Sequence, residues 1–129
     1  MNELFADTSF FVSFLNAADE HHEVASRYMR TFDHRIVTSD LVLVELGNYL
    51  SRTSARRLFF PFVRDLRADK RFEIIACSTS LIDAGMLEYS RRQDKSWSLT
   101  DCVSFILQGY RICLRVFGNS SVAPFLPPC

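Results

Sequence analysis

The sequence predicts an α/β fold built on a parallel sheet. Three observations lead there. Short apolar runs, Leu4–Ala6, Ile36-Val37 and Phe72–Cys77, alternate with longer stretches whose apolar residues recur at helical spacing. Two of the runs end in clusters able to cap a following helix, Asp7-Thr8-Ser9 and Thr38-Ser39-Asp40. Glycine and proline are scarce, at four each, and three of the prolines fall in the last six residues, so elements are long and connections short.

In chain order, Leu4–Ala6 reads as a buried strand, followed by a helix over roughly 9–16. A second helix over 21–31 pairs Val24 with Tyr28 and Ala25 with Met29 at i,i+4. Ile36-Val37 is the second strand, and the cap cluster after it opens a helix over roughly 40–51. Residues 54–69 place Leu58, Phe59, Phe62, Val63 and Leu66 on one helical face. Pro61 interrupts that pattern and predicts a kink or two helices. Phe72–Cys77 is the third strand. Leu81, Gly85 and Tyr89, with Ile82 and Met86, make an amphipathic helix to about 92. Ser98 caps a last helix that carries Leu99, Cys102, Val103 and Ile106 on one face.

A length of 129 residues fits a single domain over 1–129. With 48% hydrophobic and 23% charged residues the chain is globular in composition rather than disordered, and twelve Phe predict an aromatic core. Fifteen basic residues balance fifteen acidic ones, which excludes a generally basic coat for nucleic acid but not a local patch. No stretch is apolar for the roughly 20 residues of a membrane span, and MNELFADTSF lacks the pattern of a secretory signal. Cys77, Cys102, Cys113 and Cys129 form no CxxC pair, so they read as reduced, small core residues of a cytoplasmic protein.

Three acids stand in apolar company. Asp7 follows the first strand and precedes Phe10-Phe11-Val12. Glu45 interrupts Leu41-Val42-Leu43-Val44 and Leu46, in a helix apolar nearly all round and therefore expected to be buried. Asp101 begins a helix holding Cys102, Val103, Phe105, Ile106 and Leu107. A buried carboxylate needs a cation, a donor or a proton, and no basic residue lies within these runs. Three such groups converging on one pocket repel one another unless a cation joins them. Oxygen-only ligands favour Mg²⁺ or Mn²⁺ over zinc. Each acid also has a structural reading: Asp7 as a helix cap, Glu45 on a solvent edge, and Asp101 in the capping box Ser98-Leu99-Thr100-Asp101.

At these residues the sequence resembles the PIN-domain ribonucleases, and within them the VapC-like toxins of bacterial toxin–antitoxin pairs. The resemblance runs through Phe5-Ala6-Asp7-Thr8-Ser9, then Asp19-Glu20-His21-His22-Glu23-Val24-Ala25, then Val44-Glu45-Leu46-Gly47-Asn48. Its most specific piece is Asp94-Lys95-Ser96-Trp97-Ser98-Leu99-Thr100-Asp101-Cys102-Val103-Ser104-Phe105. It implies a PIN-like fold, a central twisted parallel sheet flanked by helices. It implies an Mg²⁺ or Mn²⁺ site at Asp7, Glu45 and Asp101 and hydrolysis of RNA, with an antitoxin partner and a homodimer. Thr8 or Ser9 would orient Asp7 or a bound water, or cap the helix; Asp94 would support the site or its loop. The resemblance stops short of the end: family members carry a fourth acid in a segment like T-x-D-x-H-F, and here nothing after Asp101 is acidic. Asn119 is the only neutral substitute we could propose. Residues 109–129 diverge from the family pattern, as a divergent or frameshifted end would, which puts a second metal position and full activity in question.

Charge is unevenly spread. Residues 1–45 hold three basic and eight acidic side chains, whereas residues 49–71 hold seven basic and two acidic. Arg52, Arg56, Arg57 and Arg64 in that second stretch are candidate RNA contacts beside an acidic site, or else a solvated helical face. Trp97, the only tryptophan, reads as packed, with base stacking as the alternative. The Leu58–Val63 segment reads as core, or as a dimer or antitoxin surface. His21 and His22 read as helix-surface or capping residues. Two other functions compete with the nuclease. One is a degenerate PIN domain that binds RNA or a partner without cutting. The other is a receiver-like phospho-acceptor, disfavoured because the second acid lies mid-helix and no suitable Lys follows a late strand.

Overall fold

The centre of the molecule is a strand that is buried beyond its first residue. In β2, Arg35–Ser39, the last four residues are buried, so it is flanked and covered on all sides. The computed structural model describes residues 3–110 and 115–116. Within them β1 (Glu3–Phe5), β2, β3 (Phe72–Ile75) and β4 (Arg115–Val116) form a sheet in the order β3-β2-β1-β4. All its pairings are parallel, with Leu4 opposite Ile36 and Phe5 opposite Val37, and Ile36 opposite Phe72. Parallel neighbours require long crossovers, and each crossover here is a pair of helices. These are α1 (Thr8–Leu15) with α2 (His22–Thr31), α3 (Asp40–Leu50) with α4 (Phe59–Ala68), and α5 (Thr79–Arg91) with α6 (Leu99–Tyr110).

The strand order has a consequence for function. The chain steps from β1 to β2 to β3 in one direction and then returns to lay β4 on the other side of β1. The order therefore reverses at β1. In open α/β sheets the crevice outside the carboxyl ends of the strands at such a reversal is where ligands bind. Two hydrogen bonds hold the loop there: Ala6 N–H donates to Val37 O at 2.8 Å, and the buried Thr38 hydroxyl donates to Ala6 O at 2.8 Å.

The core is aromatic, as twelve Phe suggest. Phe5, Phe10 and Phe11 are sealed from solvent. Phe11 meets Phe62 edge-on with centroids 5.5 Å apart, and Phe14 lies 5.8 Å from Phe62. Each such pair contributes about 0.5–1.5 kcal/mol beyond its buried area. This cluster ties α1 to α4 across the molecule.

Several expected boundaries move, for identifiable reasons. The third strand stops at Ile75 rather than Cys77 because Cys77 N–H donates to Asp40 Oδ1 at 3.1 Å and leaves the ladder. The second strand extends to Thr38 and Ser39, which pair with Ile74 and Ile75. Ser39 also caps α3 by accepting from Val42 N–H. Pro61 does not kink a helix. A 3₁₀ turn at Arg56–Leu58 ends where α4 begins, and Pro61 sits in its first turn, where an amide has no partner to lose. The Phe-rich segment divides: Phe62 and Val63 are buried, while Phe60 is 76% exposed. Helix α3 is not buried all round, since Val44 and Tyr49 stand more than half exposed. Cys102 is a buried core residue and Cys77 is half-buried; Cys113, Cys129 and Asn119 lie outside the described residues. Among the described residues no helix is long and apolar enough to cross a membrane.

Gly85 sets how closely α5 approaches α6. A Cβ there would lie 2.3 Å from Val103 Cγ2 and 3.1 Å from the Val103 backbone. The helix-propensity gain of Gly85→Ala, about 1 kcal/mol, is outweighed by overpacking, which costs about 1–3 kcal/mol. We expect the variant to unfold at lower denaturant concentration, with a net loss of up to about 2 kcal/mol. A midpoint equal to or above that of the parent in urea titrations contradicts this packing.

Candidate active site

Three elements deliver one carboxylate each to the crevice at β1. Asp7 leaves the strand through Ala6 and adopts an extended conformation as the N-cap of α1. Its Oδ1 accepts Phe10 N–H at 2.9 Å, so the sequence folds locally through the cap that an Asp before an apolar run favours. Glu45 stands half-buried midway along α3. Its Oε1 accepts the Thr8 hydroxyl at 2.5 Å, joining α3 to the first turn of α1. Asp101 closes a capping box: Asp101 N–H donates to Ser98 Oγ and Ser98 N–H to Asp101 Oδ2, each at 3.0 Å. All three line a single open cleft of about 360 Å³.

The electrostatics follow from that convergence. Burial, together with the nearby Asp101 and Glu45 charges, outweighs the Phe10 N–H and pushes the Asp7 carboxyl up from 3.8 to about 6. Asp101 is raised by burial first and by Glu45 second. Among the described residues no Lys, Arg or His forms an ion pair with any of the three. The cleft therefore holds concentrated, uncompensated negative charge.

The donor chemistry fits a hard dication, because the three side chains offer only oxygen. Each carboxylate can accept about four hydrogen bonds or ligand contacts, so a single capping bond does not exhaust it. As they stand, no three His, Cys, Asp or Glu side chains among the described residues are drawn closely enough together to share one ion.

A model of the PIN domain matches residues 4–105. The chain belongs to the PIN-domain family. Among curated proteins none matches the sequence. Among solved structures the fold is similar to that of VapC20 from Mycobacterium tuberculosis, a Sarcin-Ricin loop cleaving toxin. The TM-score is 0.81 at 21% identity, over 92% of this chain and 90% of that one. The expected PIN-like architecture, a parallel sheet flanked by helices, is thus observed.

The PIN fold brings some candidates together and leaves others apart. Thr8 and Ser9 line the cleft with the three acids. Thr8 caps nothing; its hydroxyl holds Glu45 rather than Asp7. Asp94 is exposed in the loop before α6, within 4.0 Å of Lys95, and is not among the cleft residues. Arg52, Arg56, Arg57 and Arg64 are exposed on the connection into α4 and on α4 itself, outside the cleft lining. Arg71 is withdrawn from the basic stretch: it donates twice to Asp69 and once, at 2.7 Å, to Phe32 O. Trp97 is packed, edge-on to Phe105 at 5.2 Å.

Sequence reasoning missed Asp19, His21, Tyr49 and Ser96, which also line the cleft. Asp19 accepts the Ser13 hydroxyl at 3.0 Å and His21 N–H at 2.8 Å, and so holds the turn into α2 beside α1. Asp19, His21 and Ser96 lie within segments that carry the family resemblance, which assigned them no part in the cleft, and Tyr49 carried no signal. His22 is structural, with Nδ1 bonded to Ser13 O at 2.9 Å.

The raised Asp7 pKa has a definite sign in folding. The folded state holds the proton more tightly than the unfolded state, so stability falls as pH rises from about 4 to about 6 and stays lower above. Two pK units amount to about 3 kcal/mol. Asp7→Asn retains a capping oxygen and removes the charge. We expect it to be more stable than the parent by about 1–3 kcal/mol at pH 7–8 without metal, with the gap closing near pH 4. Thermal melts across pH 4–8 check this, and a gap that widens toward acid contradicts it.

Proposed function

We propose that this PIN-domain protein is an Mg²⁺- or Mn²⁺-dependent endoribonuclease acting as the toxin of a toxin–antitoxin pair. The observation that carries the reading is the convergence of Asp7, Glu45 and Asp101, from three separate elements, on a cleft with no compensating cation. The family match and the VapC20-like fold support it.

Asp7, Glu45 and Asp101 would hold the ion directly or through water. When bound, it supplies a Lewis acid that lowers the pKa of an attacking water and neutralises charge at the scissile phosphate. The side chains do the rest. Thr8 holds the Glu45 carboxylate and Ser98 holds Asp101, which keeps both side chains directed at the cleft. Ser9 and Tyr49 offer hydroxyl groups along the cleft wall. Arg52, Arg56, Arg57 and Arg64 attract the RNA backbone. An antitoxin would silence the site by placing a basic side chain among the acids. Phe60 and Val44, both strongly exposed, offer apolar area to that partner or to a second copy in a homodimer. Placement in the cytoplasm belongs to the same reading.

A second reading is a PIN domain that binds RNA or a partner without cutting. It is favoured by the lack of any acid after Asp101.

Purified protein incubated with structured RNA should cut with Mn²⁺ or Mg²⁺ and not with EDTA. Asp7→Asn, shown to be folded, should lower cutting by about 100-fold or more. Metal-independent cutting, or full activity in Asp7→Asn, rejects the nuclease mechanism, while RNA binding with no cutting supports the second reading.

Thr8→Val tests the support of Glu45. Losing such a group typically costs about 10–100-fold in metal affinity or activity. We expect the half-saturating Mn²⁺ concentration to rise while the rate at saturation largely recovers. Loss of activity with unchanged Mn²⁺ dependence places Thr8 in some other role.

A further inference from the structure

A second recess adjoins the acidic cleft and has the opposite character. It is lined by Tyr89, Arg92, Gln93, Lys95, Trp97 and Cys102, and by Ser96, which also lines the cleft. Its volume is about 350 Å³. Ser96 and Ser98 border the acids, and the residue between them, Trp97, faces the recess. Ser96 is common to both linings, so the two recesses are contiguous.

The recess combines cations and rings. Arg92 lies over the Trp97 ring at 5.3 Å from its centroid, and Lys95 over the same ring at 5.9 Å. These contacts preorganise both charges, since a cation over an aromatic face is held electrostatically. Their acidic neighbours engage them only loosely: Glu88 is 3.7 Å from Arg92, and Asp94 is 4.0 Å from Lys95. Both side chains remain nearly half exposed. Trp97 is buried and already covered by Arg92 and Lys95, so it is not a platform for a base. Tyr89, 54% exposed on the last turns of α5, has surface available for one.

Resting on the nuclease reading above, we propose that this recess is an RNA subsite for the nucleotide flanking the scissile phosphate. Arg92 and Lys95 take its phosphate and Tyr89 stacks on its base. Cations placed here solve a problem the acidic cleft creates. A polyanion entering a carboxylate-lined cleft meets repulsion, and fixed positive charge at its rim holds the strand in register over the acids. Cations fit phosphate and an aromatic face fits a base, the pairing found in grooves that bind single-stranded nucleic acid.

The test is binding of a fluorescein-labelled, mixed-sequence single-stranded RNA 12-mer, read by anisotropy in EDTA. Asp7→Asn protein serves as a non-cutting parent. Arg92→Gln/Lys95→Gln should weaken binding by about tenfold or more, and the salt-dependence slope should become shallower by about 0.7 for each phosphate no longer neutralised. Tyr89→Ala should weaken binding by about 5- to 150-fold with the slope unchanged. Tyr89 is exposed, so this variant stays informative if removing the two cations from the Trp97 ring unfolds the double variant. Parental affinity in folded Tyr89→Ala and Arg92→Gln/Lys95→Gln, with weakened binding in Arg52→Gln/Arg56→Gln, overturns the subsite and leaves the nuclease reading standing. No RNA binding by the parent at any salt concentration overturns both. Unchanged RNA binding, with weakened binding of a labelled poly-glutamate peptide, assigns the recess to an acidic protein segment and overturns the proposal.

Discussion

Holding three carboxylates in one cleft, with no basic side chain among the described residues paired to any of them, opposes folding, and much of the local structure exists to make that arrangement tolerable. Asp7 shows the scale of the opposition, with its pKa raised to about 6 by burial and by its two acidic neighbours. At neutral pH the charge persists against the preference of its surroundings. Each acid is steadied by a donor: Phe10 N–H for Asp7, the Thr8 hydroxyl for Glu45, and Ser98 N–H for Asp101. Such charge-assisted bonds are stronger than neutral ones. The remaining opposition is offset at a distance, by the Phe5, Phe10, Phe11 and Phe62 core beneath the crevice.

The structural roles of these residues coincide with the chemical roles proposed for them. Asp7 starts α1 and Asp101 closes the first turn of α6, so the bonds that define two helix ends also aim two carboxylates. Capping and metal holding therefore do not compete as explanations, because a cap leaves acceptor capacity on the same side chain. What brings the helix ends to one place is the reversal of strand order at β1, sharpened by Gly85, which lets α5 and α6 pack without an intervening side chain. Charge then falls into zones around the cleft: carboxylates within, the Arg92–Lys95 recess at one rim, and an arginine-bearing surface on and before α4. For a polyanionic substrate, that layout attracts and orients the strand outside the acidic site rather than within it.

The sequence by itself determined the order and type of the elements. Short β-branched or apolar runs alternate with stretches of helical period, and Asp, Ser and Thr stand where α1, α3 and α6 begin. Those signals are local, because a cap bonds within three residues and an amphipathic face repeats every turn. It also marked Asp7, Glu45 and Asp101, since a carboxylate among apolar residues is conspicuous from composition alone. Only the tertiary structure decided the rest. That Thr8 serves Glu45, 37 residues away, that Arg71 is spent on Asp69 and Phe32, and that Asp94 stays outside the cleft depend on how distant elements meet. The exposure of Val44 and Tyr49 on a helix that reads as buried has the same origin: local hydropathy says what a face prefers, and the packing of the other elements determines what that face meets.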